Sequence, residues 1–150
     1  MPHHEVSSLA DGTTSRVSLT LDSALASVGA VEDTALDFAR SAGFDHDSAS
    51  NLAMVAREAA VNAVVHGNRY HLAKPITASF EITDTALIIK IADQGEGLDP
   101  SAIPDPLAPE NLLRSSGRGV FLMRAFMDQV SFRNLNPGTE ITLTKHRPHL

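Results

Sequence analysis

Residues 57–68 read REAAVNAVVHGN and combine a helical pattern with three prominent polar side chains. Glu58, Asn62 and His66 are four residues apart, so on an α-helix they form one stripe in which each step rises about 6 Å. The residues between them are mainly Ala and Val, and a buried Glu or Asn without a partner is costly. An Asn carbonyl oxygen suits Mg²⁺, and a nearby Glu can orient or deprotonate a nucleophile. Taken alone, the segment is explained equally well by an amphipathic helix with its polar side in water.

The sequence around this helix predicts a definite order of elements: strand, helix, helix, two strands, a proline-rich stretch, helix and two strands. Apolar or alternating runs predict strands at residues 16–21, 76–83, 86–93, 130–134 and 140–145. Amphipathic spacing and capping residues predict helices at 23–42, from Asp45 or Asp47 to His66, and at 117–128. We expect Gly43 to end the first helix, Gly67 and Asn68 to close the second, and a turn at 136–138 to join the last two strands. The run at 86–93 is almost continuously apolar, so we expect a central strand buried on both faces.

This order predicts an α/β (α+β) domain built as a two-layer sandwich. A mixed, mostly antiparallel sheet would be covered on one face by helices. The length of 150 residues fits a single domain with its own core. Residues 1–14 hold acids, histidines and small polar residues around few apolar ones, so we expect a flexible N-terminal arm there and the domain at 15–150.

The composition excludes several classes of function. The chain has no cysteine, so disulfides, thiolate metal sites and cysteine nucleophiles are ruled out. Its formal charge of −6 gives no sign of a direct nucleic-acid partner. No apolar run approaches the roughly 20 residues that cross a bilayer, and no apolar signal core is found at the N-terminus. We therefore expect a cytoplasmic protein that does not bind a membrane.

A second candidate site is the sequence DQGEG at residues 93–97, directly after the predicted central strand. A carboxylate such as Asp93 at a strand end is well placed to accept a hydrogen bond from an exocyclic amine, such as the adenine 6-amino group. Gly95 and Gly97 let the backbone turn sharply and approach a planar base or a phosphate. An ordinary acidic loop with two turn glycines would give the same short pattern.

A third candidate site is SSGRGV at residues 115–120, which opens the last predicted helix. A glycine turn at a helix N-terminus presents free N–H groups and the positive end of the helix dipole to a phosphate. Arg114 and Arg118 can add positive charge there. The segment is neither a P-loop nor a dinucleotide-binding fingerprint, because the required Lys and glycine spacing are missing. A serine-capped helix start is the alternative.

In this order, the three motifs resemble those of the GHKL ATPase superfamily, which shares the Bergerat ATP-binding fold. Within it, the sequence looks most like the bacterial anti-sigma factor serine/threonine kinases, which carry N-A-x-x-H-G, S-G-x-G-x-x-x-M and F-M-D-x-V. This chain has NAVVHG at 62–67, SGRG at 116–119 followed by Met123, and FMDQV at 126–130. The ending PGTEITLTK at 137–145 also matches, and the resemblance covers residues 17–145.

The resemblance implies a role for each matching residue. Asn62 is implied as the Mg²⁺ ligand, Glu58 as the general base and Asp93 as the acceptor of the adenine amine. The proline-rich residues 98–116 are implied to form the ATP lid. Two serines separate Arg114 from the glycine turn, whereas the family pattern has one. The resemblance therefore gives Arg114 no clear role in binding the γ-phosphate. The implied nucleotide-binding positions are Asn62, Asp93, Gly95, Gly97, Gly117, Arg118, Gly119 and Thr139.

The same resemblance implies a transferase that regulates transcription. It would be a cytoplasmic homodimer that phosphorylates an anti-sigma-factor antagonist on serine with Mg-ATP and sequesters a sigma factor. Because phosphoryl transfer depends mainly on positioning and charge, a metal ligand, a base and a phosphate cradle would suffice. Two alternatives stay open: a non-catalytic switch in which ATP tunes a protein contact, and a histidine-kinase-like ATPase domain. The presence of Glu58 favours the kinase over the switch, and the lack of a preceding phospho-acceptor helix pair counts against the histidine kinase.

Overall fold

The computed structural model describes residues 3–7, 13–95 and 117–148. Gly97, Arg114 and the predicted lid at 98–116 lie outside these ranges. The strands are β1 (His3–Ser7), β2 (Thr13–Leu21), β3 (Ile76–Thr83), β4 (Ala86–Ala92), β5 (Gln129–Asn134) and β6 (Thr139–His146). The helices are α1 (Leu25–Ser41), α2 (His46–Val61) and α3 (Gly117–Phe126), and a π-helical turn (Asn62–Gly67) follows α2. No helix within the described ranges is long and apolar enough to cross a membrane.

The six strands form one sheet in the order β1-β2-β3-β4-β6-β5. The predicted two-layer α/β sandwich with a mostly antiparallel sheet is confirmed. All five pairings described are antiparallel, so only the parallel pair that a mixed sheet would contain is not found among them. A single helix between neighbouring strands gives a parallel pair. Here two helices separate β2 from β3, so the chain reverses once more and β3 returns antiparallel to β2.

Strand β1 lies within the segment that was expected to be a flexible arm. Its five residues pair with β2 in the register Val6↔Val17, so the expectation for residues 1–14 does not hold at His3–Ser7. The sequence HHEVS has a single apolar side chain and no alternation. Its place depends on the free edge of β2, which offers backbone hydrogen bonds that side-chain patterns do not reveal.

The core lies between the helices and one face of the sheet. The alternating residues Ile76, Ala78, Phe80 and Ile82 of β3 are buried, as period-two patterning requires. The Phe80 ring lies 5.7 Å from the ring of Phe38 in α1, centroid to centroid. Helices α1 and α2 contribute many buried alanines, which let the backbones of these two helices pack closely. They are Ala35, Ala39, Ala49, Ala53, Ala56, Ala59 and Ala60.

Strand β4 is central, but it is not buried on both faces as its apolar run suggested. Leu87, Ile89 and Ile91 are buried, whereas Lys90 is exposed and Ile88 is half-buried. The physical reason is that the described helices pack on the face that holds Leu87, Ile89 and Ile91. The other face carries polar neighbours such as Ser79, which pairs with Lys90.

The residues predicted to end α1 and to begin α2 have the expected conformations. Gly43 takes a φ of 98° just after α1, a backbone conformation that favours glycine. The Asp45 side chain caps α2, because its Oδ1 accepts a hydrogen bond from the amide of Ser48 over 2.8 Å. These two residues fix the short turn that lets α1 and α2 pack on each other.

The end of the second helix differs from the predicted α-helix. From Asn62 onward it widens into the π-helical turn, closed by a hydrogen bond from the amide of Asn68 to the carbonyl of Ala63 over 2.8 Å. The π-helical turn closes a wider hydrogen-bonded ring than the predicted α-helix. Glu58, Asn62 and His66 therefore do not lie on one unbroken α-helix as predicted, and His66 is exposed near the end of the turn.

Candidate functional site

A cavity opens between the end of α2 and the sheet, with about 320 Å³ of empty space including its part open to solvent. Three polar residues, Asn62, Asp93 and Thr139, interrupt otherwise apolar walls. The apolar lining consists of Ala59, Ala63, Ile91, Phe132 and Ile141. A flat apolar ligand carrying a few polar groups suits such a lining.

One wall of the cavity is a row of side chains across three strands. Ile91 of β4 pairs with Ile141 of β6, which pairs with Phe132 of β5. Directly opposed residues point to the same face of a sheet, so these three form a continuous apolar surface. Strand pairing brings these three residues together, and they were not among the site residues predicted from the sequence.

Asp93 is the buried polar centre of the cavity, 9% exposed at the end of β4. Its Oδ1 accepts hydrogen bonds from the amides of Gly95 over 3.0 Å and Thr139 over 3.2 Å. Burial raises the pKa of the Asp93 carboxyl, against the smaller lowering effect of these two backbone hydrogen bonds. Among the described residues, no hydrogen bond to its Oδ2 is found, so that oxygen can accept from a ligand.

Three glycines enclose Asp93 so closely that no side chain fits. A Cβ at Gly67 would lie 2.2 Å from Oδ2 of Asp93, and a Cβ at Gly138 would lie 2.0 Å from its carbonyl oxygen. A Cβ at Gly95 would lie 2.2 Å from the carbonyl oxygen of Gly67. Gly95 was expected for its freedom to turn, and the structure adds close approach to Gly67 as a reason for glycine. Gly67 and Gly138 were interpreted from the sequence only as a helix end and a hairpin turn.

The structure brings part of the predicted site together. Asn62, Asp93 and Thr139 line one cavity, with Gly95 bonded to Asp93. Glu58 is half-buried on α2 and is not among the residues that line this cavity, and His66 is exposed. The structure thus places Asn62 and Asp93 in the lining of one cavity and Glu58 outside that lining, and the roles of all three stay predictions.

The predicted phosphate cradle is described only in part. Helix α3 begins at Gly117, which is the helix start predicted from the sequence, and Arg118 and Gly119 fall in its first turn. Residues 115 and 116, just before it, lie outside the described ranges. The phosphate-binding role of this helix start therefore stays a prediction.

The donor set fits a magnesium nucleotide better than an independent metal site. Within the described ranges, no group of three or more His, Asp and Glu side chains could hold a metal ion. Mg²⁺ commonly keeps several waters and binds through one or two protein oxygens together with substrate phosphates. The Asn62 carbonyl oxygen at the cavity can serve as such a protein ligand.

Comparisons with known proteins agree with this fold and motif order. The family described as histidine kinase-like ATPase domain matches residues 21–145. Serine-protein kinase RsbW of Oceanobacillus iheyensis is 33% identical over 125 residues, which cover 79% of this chain and 78% of that protein. Serine-protein kinase RsbW of Bacillus subtilis (strain 168) is 26% identical over 125 residues, with the same coverage.

A solved structure supports the fold alone. The histidine kinase domain of the blue-light activated histidine kinase EL346 from Erythrobacter litoralis aligns with a TM-score of 0.52 and 13% sequence identity. The alignment covers 91% of this chain and 69% of that one.

Proposed function

We propose that this chain, which belongs to the histidine kinase-like ATPase domain family, is an ATP-dependent protein serine kinase. Its substrate would be an anti-sigma-factor antagonist, and it would also sequester a sigma factor. The relatives compared above carry the name serine-protein kinase. The anti-sigma role follows from the motif resemblance at residues 62–67, 116–119 and 126–130.

The observation that supports ATP as the nucleotide is the geometry of Asp93. Its Oδ1 is occupied by two backbone amides, so Oδ2 is the acceptor that remains for a base. Adenine presents an amino donor at C6, whereas guanine presents a carbonyl acceptor there. A carboxylate oxygen facing that position favours adenine and repels guanine. The apolar row Ile91, Ile141 and Phe132 would pack against the planar ring.

Besides a site for the adenine base, a kinase needs groups that carry out phosphoryl transfer. Asn62 would hold Mg²⁺, which neutralises phosphate charge when bound. The Glu58 carboxylate forms no hydrogen bond or ion pair with the described residues and is half-buried, so it is available as a base. In the transfer, the serine oxygen of the partner bonds to the γ-phosphorus while the bond to the β–γ bridging oxygen breaks. ADP leaves, and Glu58 takes the hydroxyl proton.

The regulatory consequence follows from competition between two partners. An unphosphorylated antagonist would occupy the kinase, and phosphorylation would release it, so that the free kinase captures the sigma factor by mass action. The protein acceptor would dock from outside at the γ-phosphate end. We also propose that the protein acts in the cytoplasm as a homodimer, as the resemblance implies.

The deciding experiment is phosphotransfer from γ-labelled ATP to candidate antagonist proteins. We expect an acid-stable label on the antagonist, because phosphoserine survives acid and phosphohistidine does not. An acid-labile product would point instead to a histidine-kinase-like activity. Nucleotide binding without transfer to any antagonist would favour the non-catalytic switch, and turnover without an acceptor would indicate a plain ATPase.

A further inference from the structure

A buried hydrogen-bond network lies behind the Asp93 turn. Asn68 is 3% exposed and Ser23 is 1% exposed. The Nδ2 of Asn68 donates to Oγ of Ser23 over 2.7 Å, to the carbonyl of Lys74 over 2.5 Å and to that of Pro75 over 3.1 Å. Its Oδ1 accepts from the amide of Gln94 over 2.7 Å. The hydroxyl of Ser23 donates in turn to the carbonyl of Lys74.

The partners settle which way the Asn68 amide points. Carbonyl oxygens of Lys74 and Pro75 require a donor, and the amide of Gln94 requires an acceptor. A flipped side chain would set two donors against each other at Gln94 and two acceptors against each other at Lys74. An aspartate here would offer no donor to the two carbonyls. The position therefore calls for a carboxamide.

The network acts on the peptide bond that follows Asp93. Asn68 holds the amide of Gln94 on one side, while the carbonyl oxygen of the same peptide, that of Asp93, lies against Gly138. With this peptide plane fixed, the amide of Gly95 can reach back to Oδ1 of Asp93. Asn68 thus fixes the backbone from which the Asp93 carboxylate is aimed into the cavity.

The chain adopts a costly conformation directly after Asn68. Arg69 and Tyr70 have φ values of 51° and 60°, which residues other than glycine rarely adopt. Such residues persist only where surrounding contacts determine them, and they cluster at functional sites. This turn brings the loop carbonyls of Lys74 and Pro75 back onto Asn68.

We propose that Asn68, supported by Ser23, is a positioning residue that orients Asp93 for selection of the nucleotide base. This inference rests on the proposed adenine site. It concerns a residue that the motif comparison gave no role. Asn68 touches no ligand in this proposal, since it acts through the Gln94 peptide.

The test compares Asn68→Ala and Ser23→Ala with Arg147→Ala as a matched control. Arg147 also bridges chain segments, donating to the carbonyls of Ala42 and Thr83, but it lies at the opposite end of β4 from Asp93. Calorimetry with ADP and GDP should show the ADP preference reduced about tenfold in Asn68→Ala, the size expected from leaving a buried group unpaired. Ser23→Ala should reduce it by a smaller factor, and Arg147→Ala should leave it unchanged.

A second readout needs no nucleotide. Amide hydrogen exchange of the free protein should show lost protection at Gln94 and Gly95 in Asn68→Ala, and unchanged protection there in Arg147→Ala. If Asn68→Ala does not fold, Ser23→Ala carries both measurements. Folded variants that keep the parental ADP preference and the parental protection at Gly95 would overturn the inference. A parent protein without any ADP preference would instead overturn the adenine site, and the exchange data would still decide whether Asn68 orders the turn.

Discussion

Asp93 and Thr139 are joined by two hydrogen bonds that run in opposite directions across the ends of β4 and β6. The amide of Asp93 donates to the carbonyl of Thr139 over 3.0 Å, and the amide of Thr139 donates to Oδ1 of Asp93 over 3.2 Å. In a continuing antiparallel ladder, a backbone carbonyl would be the second acceptor. The side chain takes that place, so the sheet itself orients the carboxylate and leaves Oδ2 for a ligand.

This arrangement predicts the behaviour of Asp93→Asn. The amide oxygen can replace Oδ1 and keep both backbone hydrogen bonds, which puts the NH₂ group where Oδ2 was. A donor then faces the 6-amino group of adenine, so ADP affinity should fall about tenfold or more, the scale of a hydrogen bond to a charged group. The preference for ADP over GDP should vanish in calorimetric titrations. A variant that keeps the full preference would remove Asp93 from base recognition.

Burial of Asp93 predicts a pH dependence with a definite sign. Its pKa is raised above the ordinary 3.8 in the folded protein, so the folded state binds the proton more tightly than the unfolded state. The stability contributed by Asp93 is therefore full below pH 3.8 and is lost as the pH rises through the raised pKa. Urea unfolding of the parent and Asp93→Asn across this window should show the parent losing stability relative to the variant as the pH rises. A difference that stays constant with pH would contradict the raised pKa.

Gly67→Ala should impair the site more than the fold. Its Cβ would lie 2.2 Å from Oδ2 and 2.4 Å from Cγ of Asp93, so the carboxylate must move away from its position. We expect ADP affinity to fall at least about tenfold, comparable with loss of the Asp93 hydrogen bond itself. The matched control is Gly29→Ala on α1, where an added Cβ meets nothing within 4 Å.

Gly29→Ala should leave binding unchanged and raise stability by roughly 0.5–1 kcal/mol, because glycine in a helix interior is unfavourable. Calorimetry and thermal unfolding of both variants give the comparison. Unchanged ADP affinity in a folded Gly67→Ala protein would show that the close approach to Asp93 does not matter for the ligand.

Much of the fold follows from local sequence signals. The alternation in β3, the Asp45 cap and Gly43 after α1 are short-range features, and each appears as predicted. The arrangement around Asp93 could not be predicted in the same way, because it depends on the approach of segments that are distant in sequence. Gly138 is 45 residues beyond Asp93 in the chain, and only their contact reveals why a glycine is needed there.

Two further features could not be predicted for other physical reasons. The π-helical turn at Asn62–Gly67 has the composition of an ordinary helix end, so no local signal in the sequence marks it. Asn68 was interpreted from the sequence only as closing the second helix together with Gly67. Its hydrogen-bond partners Ser23 and Gln94 come from segments that the local pattern does not connect.

Asn62→Ala should weaken binding of the magnesium nucleotide specifically. The variant removes the carbonyl oxygen at the cavity but leaves the Asp93 contact with the base intact. We therefore expect the gain in ADP affinity on adding Mg²⁺ to disappear, while metal-free ADP binds as in the parent. Calorimetry with and without Mg²⁺ separates the two contributions. A parental response to Mg²⁺ in this variant would assign the metal to other groups.

Glu58→Gln should separate binding from chemistry. The substitution keeps the size of the side chain and its place on α2, so ATP affinity should stay within about twofold of the parent, because the lost group makes no ground-state contact with the nucleotide. A glutamine cannot accept the serine proton, so transfer to the antagonist should fall by about 10²-fold or more, the usual scale of general-base catalysis. Glu32→Gln is the matched control, since Glu32 is half-buried like Glu58 and its Oε2 lies 3.9 Å from Nε of Arg57 on the adjoining helix. Single-turnover transfer from labelled ATP measures both variants, and a parental rate in Glu58→Gln would show that the proton leaves by another route.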